Sequence, residues 1–119
     1  MDGYSRAISS LSDLILEQTS DALIYANREG VIERWNQAAE SMFGYTFAEA
    51  YNQSLDLIIP EHLRPAHWRG FEAAMVNGST RLHGRPTFTR AERRSGEIIY
   101  VEMSFALVTD ESEKVIGSV

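Results

Sequence analysis

The sequence predicts an α+β domain in which helices cover one face of a single antiparallel sheet. Three observations predict it. Helical signals are gathered between residues 36 and 77, with strand-like stretches on both sides. Turn residues at 27–30, 94–97 and 109–114 each separate two such stretches, as in hairpins. The 119 residues, 44% hydrophobic and 24% charged, supply one modest core.

Taken in order, the first element is a helix within residues 1–18. Tyr4, Ala7, Ile8, Leu11, Leu14 and Ile15 recur at three- and four-residue steps and form a narrow apolar stripe. Such a stripe can cover a sheet or pair with a second copy of itself, and both arrangements stay open here. Residues 21–26 read as a strand, 27–30 as a Gly-containing turn, and 31–35 as the returning strand. Asn36 is a good N-cap for a short helix ended by Gly44. Thr46 and Glu49 have capping-box spacing, and Asn52 ends the helix that they open. Residues 54–59 make a further helical turn, stopped by Pro60. The longest helix spans 61–77, with Leu63, His67, Gly70, Phe71 and Ala74 on one stripe and a stop at Asn77 and Gly78. Residues 81–94 read as a long strand, which Pro86 confines to a sheet edge. From 98 to 108 the alternation is regular: Ile99, Val101, Met103, Phe105 and Leu107 share a face opposite Tyr100, Glu102 and Ser104. A final strand begins at Val115 and stops at Val119. The expectation is a flanking helix at 1–18 and a domain at 19–119, cut in or near its last strand, with an output domain outside this chain.

Composition removes several function classes. Zero Cys excludes disulfides, thiolate catalysis and Cys-ligated metal. Net charge −6 argues against nucleic-acid binding by this domain. The chain has no apolar run near the ~20 residues that span a bilayer and no apolar leader, so a cytoplasmic, non-membrane domain is expected. No phosphate loop or Ser/His/acid spacing points to catalysis, and no enzyme activity is expected. His62 and His83 show no metal-ligand spacing with His67. Of the seven Arg between 61 and 94, Arg81, Arg85 and Arg93 share strand parity with His83 and read as the solvated side of an edge strand, while Arg90 and Arg94 have the opposite parity near the hairpin end.

The order and spacing of several phrases resemble the PAS sensor-domain family. They are GVIERWNQAAE at 30–40, FGYT at 43–46, IPE at 59–61, RSG at 94–96 and VIG at 115–117. The resemblance implies a PAS fold with a five-stranded antiparallel sheet of order 2-1-5-4-3. Asn52 and Glu113 stand where that family usually carries Gly. General resemblance also points to the N-terminal PAS domain of a LuxR-type transcriptional regulator.

The PAS layout implies a small apolar cavity between helices and sheet. The candidate ligand-binding residues are Ile24, Met42, Phe43, Leu55, Ile58, Leu63, His67, Phe71, Leu82, Phe88, Met103 and Phe105. His67 is the one clear polar group among them. It reads either as a ligand contact or as a structural His that caps or packs locally, and the apolar residues either line a cavity or simply fill the core. The leading expectation is a sensory and dimerisation module of a bacterial signalling protein. It binds a small molecule, dimerises through the N-terminal helix and relays to the linked output domain, with no resident cofactor and no metal. The missing Cys excludes adduct-forming flavin and cinnamoyl photochemistry.

One alternative is a haem gas sensor. In haem-binding oxygen-sensor PAS kinases the iron ligand is a His on this helix, and an ungapped match over 59–96 puts His67 at that position. The distal positions of those sensors read Ala73, Arg81 and Thr87 here, so only Arg81 could hold a propionate or a gas. The other alternative is a dimerisation domain without any ligand.

Overall fold

The computed structural model describes residues 10–80 and 83–119. Tyr4, Ala7, Ile8, Arg81 and Leu82 lie outside the described residues. Helix α1 spans Leu11–Gln18, and the Ser10 hydroxyl caps it by accepting the Asp13 amide. Strands β1 (Ile24–Asn27) and β2 (Ile32–Trp35) form the first hairpin, with a bulge between Tyr25 and Ala26. The Asn27 side chain accepts the amides of Glu29 and Val31, which closes the turn around Gly30 at φ +77°.

Helix α2 (Gln37–Phe43) starts at the Asn36 cap and ends at Gly44 in the left-handed region. Helix α3 (Phe47–Ala50) carries both hydrogen bonds of the expected capping box, between Thr46 and Glu49. The next turn is a 3₁₀ segment, Leu55–Ile58, capped by Ser54. The expected helix over 61–77 is divided: a 3₁₀ turn at Glu61–Leu63 leads into α4, Arg64–Asn77, with Pro65 in its first turn.

Strand β3 covers only Thr87–Glu92, shorter than the strand expected over 81–94. His83 and Gly84 both have positive φ, and Pro86 offers no N–H, so ladder pairing begins after them. Strand β4 (Ile98–Met103) pairs with β3; β5 (Leu107–Thr109) pairs with β6 (Val115–Ser118). The hydrogen-bonded orders are β2-β1-β6-β5 and β3-β4. With β4 and β5 counted as one interrupted strand, the neighbours are those of the expected 2-1-5-4-3 order. The difference is that the single five-stranded sheet becomes two pieces. Val119, the last residue of the sequence, sits opposite Ala106 and exchanges both backbone hydrogen bonds with it, so the β6 ladder reaches Ala106 and β4 is paired with β3.

The core joins Ala26, Ile32 and Trp35 of the hairpin to Ala39 and Phe43 of α2, Leu55, Phe71 and Met75 of α4, and Ala91 of β3. Asn52 and Glu113, the two departures from the family pattern, both adopt positive φ, at +67° and +65°. Asn tolerates this region far better than Glu does. Glu113→Gly is therefore expected to raise the unfolding free energy by up to about 1 kcal/mol, measured by urea titration. A loss of stability would show that the Glu113 side chain contributes more than its backbone geometry costs.

Candidate functional site

Helix α4 builds the site. Its buried residues are Phe71, Ala74 and Met75. Gly70, placed on the apolar stripe from sequence, is exposed with open space where a Cβ would sit, and Met75 takes the inward position instead. His67 is half-buried. Its ring meets Trp68 edge-on at 4.6 Å and Phe71 at 5.9 Å. Phe71 in turn touches Trp68 and Phe105, which lies in the β4–β5 link, at 5.2 and 6.2 Å between ring centroids.

Nδ1 of His67 is sealed from solvent and has no hydrogen-bond partner. Burial holds the imidazole below its ordinary pKa, and the nearby Asp56 carboxylate opposes this only in part. A neutral imidazole with one unsatisfied nitrogen thus faces an aromatic wall. Asp56 accepts the Trp68 indole N–H at 2.7 Å, and its carboxylate lies 3.8 Å from Arg64. Arg64 also donates to the carbonyls of Ile59 and Asp56, at 2.9 and 3.2 Å, which fixes the start of α4.

The structure gathers most, but not all, of the candidate ligand-binding residues. Phe43, Leu55 and Phe71 are buried, and Ile24, Ile58 and Phe105 pack half-buried against them. Leu63, in the 3₁₀ turn that leads into α4, and His67 on α4 are half-buried. Leu82 lies outside the described residues.

Three placements are corrected. Phe88 is 76% exposed, because Thr89 and Ala91 set the inward parity of β3 and Phe88 lies opposite outward-facing Glu102. Met42 is 38% exposed: Ala39 and Phe43 define the inner line of α2, and Met42 falls a third of a turn away. Met103, 40% exposed, has the inward parity but sits opposite Thr87 at the end of the hairpin, past the packed core.

A cavity of about 230 Å³ opens between the end of α4 and the β4–β5 interruption, lined in part by Thr80, His83, Phe105 and Leu107. His67 is not in its lining, and its volume falls below the ~300–1,000 Å³ usual for ligand pockets. Among the described residues no group of three His, Asp or Glu could hold a metal ion, and no helix is long and apolar enough to cross a membrane.

Sequence reasoning missed Trp68 and Met75. The Trp68 side chain packs against the core and bonds Asp56 twelve residues away, across Pro60; no local periodicity carries that contact.

The fold sets helices over an antiparallel sheet, with α4 and its aromatic cluster packed toward it. The PAS fold family matches residues 11–119, and the chain belongs to that family. Among similar proteins, oxygen sensor protein DosP of Escherichia coli is 28% identical over 98 residues, covering 82% of this chain and 12% of DosP. Sensor protein FixL of Bradyrhizobium diazoefficiens is 27% identical over 90 residues, covering 76% of this chain and 18% of FixL. The chain thus spans less than a fifth of either protein's length. The crystal structure of a PAS domain from Colwellia psychrerythraea superposes with a TM-score of 0.76 at 18% identity, over 88% of this chain and 86% of that one.

Proposed function

We propose that this domain is a non-enzymatic sensory and dimerisation module of a bacterial signalling or transcription-regulatory protein. It takes a small neutral ligand beside His67 and relays the change to a linked output domain. The observation that carries the reading is the buried, unpartnered Nδ1 of His67 among Trp68 and Phe71. Leaving such an atom unsatisfied costs about 1–3 kcal/mol, which a ligand with one hydrogen-bonding group would recover. The sensor roles in the names of the two relatives support the class of function.

Haem does not fit the residues as they stand. Phe71, only 3% exposed, packs 5.9 Å from the His67 ring, which leaves room there for a small ligand at most; a flat macrocycle would have to displace it. The reading therefore places no haem on His67.

Dimerisation is supported by α1. None of its residues is buried: Leu11, Leu14 and Ile15 are 72%, 45% and 56% exposed. Polar links hold the helix in place instead, with Leu16 O accepting from the Asn36 side chain and Asp13 paired to Arg34 at 3.0 Å. A two-fold contact between two such stripes would remove this apolar surface from water.

Native mass spectrometry joined to an absorption spectrum tests the reading. The expected result is a dimer carrying a small additional mass that His67→Phe no longer retains, without a Soret or flavin band, and a monomer for Leu11→Glu. A stoichiometric Soret band lost in His67→Ala would overturn the cofactor-free reading. A ligand-free wild type would overturn sensing by binding, and a monomeric wild type would overturn dimerisation.

A further inference from the structure

Trp68 joins three separate pieces of the fold. Its indole N–H is held by Asp56 on the 3₁₀ turn, and its edge meets the His67 ring. Its six-membered ring lies on Gly30 so closely that a Cβ there would overlap it. Gly30 is buried at φ +77°, and its carbonyl accepts the Leu55 amide at 3.0 Å. The hairpin turn is thus gripped by α4 on one side and by the segment before Asp56 on the other.

The same hairpin holds β6. Arg28, two residues before Gly30, donates to the Val115 carbonyl at 2.7 Å. Ala26 and Asn27 pair with Ser118 and Gly117, and the Tyr25 hydroxyl donates to the Ile116 carbonyl at 3.1 Å. Gly117 has no room for a side chain, because the Ala26 carbonyl and the Tyr25 ring occupy that space. Every residue from Val115 to Ser118 is therefore fastened to β1 or to its turn.

We propose that Trp68 is a positioning residue that couples α4 to β6 through the Gly30 turn. A displacement of α4 at His67 moves the indole; the turn cannot stay in place, because only a glycine-sized gap separates them. Arg28 and the β1 pairing carry the shift to β6. Close-packed contacts of this kind transmit small shifts instead of absorbing them. The coupling goes beyond ligand sensing and does not depend on it, so the test uses the ligand-free domain.

Native-state amide exchange of wild type and Trp68→Phe decides the matter. The phenyl ring keeps part of the packing but loses the bond to Asp56 and the reach to Gly30. Exchange over residues 115–118 should rise about tenfold, while β3–β4 amides stay within about twofold of wild type. A uniform rise over both regions, or none at β6, would show that Trp68 only fills space. Arg28→Met cuts the far end of the route at the surface. It should speed exchange over 115–118 without changing α4, and unchanged β6 exchange would also overturn the proposal. If Trp68→Phe does not fold, the Arg28→Met result stands as the deciding measurement.

Discussion

Phe71→Ala is expected to lower the unfolding free energy by about 3–5 kcal/mol, the cost of deleting a buried aromatic side chain whose neighbours cannot collapse onto the space. Phe71 is 3% exposed and touches His67, Trp68 and Phe105. The loss would take a large part of the ~5–15 kcal/mol that holds a domain of this size together. Phe105→Ala should cost less, since Phe105 is only half-buried. Tyr100, 77% exposed on the outer face of β4, should change stability by at most about 0.5 kcal/mol when truncated. Urea titration of the three variants checks the order. Equal losses for Phe71 and Tyr100 would mean that the inner and outer faces are assigned wrongly.

The second large effect is at Asn36. This side chain is 3% exposed and fully used. Its Oδ1 accepts the amides of Leu23 and Ala39, and its Nδ2 donates to the carbonyls of Leu16 and Asp21. Asn36→Ala removes the cap of α2, worth ~0.5–2 kcal/mol, and strands further polar groups in a part-buried site. A total loss of about 3 kcal/mol or more is expected by urea titration. Asn36→Asp keeps the two acceptor bonds and should restore part of it, while the two carbonyls lose their donor. A loss below 1 kcal/mol for Asn36→Ala would show that water replaces the lost bonds.

Much of this fold is legible in the sequence because its signals are local. Asn36, Thr46 with Glu49, Gly44 and Gly78 each mark a helix end within four residues, and all four act there. The alternation of Ile99, Val101, Phe105 and Leu107 survives as the packed side of β4, the link after it and β5. What was not legible is set by contacts distant in the chain. The pairing of β6 with β1 on one side and β5 on the other joins residues about ninety apart and about ten apart, and neither partner is marked locally. The inward parity of β3 depends on its partner, and Phe88 alone offers no sign of it. The site was legible in part: His67 was placed on the apolar side of α4, but its sealed Nδ1 and the Trp68–Asp56 bond arise only when α4 docks on the 3₁₀ turn.

The position of β6 between β1 and β5 also has a consequence for synthesis. Ala26 pairs with Ser118, so β1 waits for residues about ninety positions later before it gains its second neighbour. The β3–β4 hairpin closes within 17 residues and can form early. Until 115–118 leave the ribosome, β1 and β5 each present an open edge, the feature that invites pairing with other nascent chains. A released chain truncated before Val115 should therefore hold a formed β3–β4 hairpin beside an unfinished sheet, and should bind chaperones more strongly than one that includes 115–118.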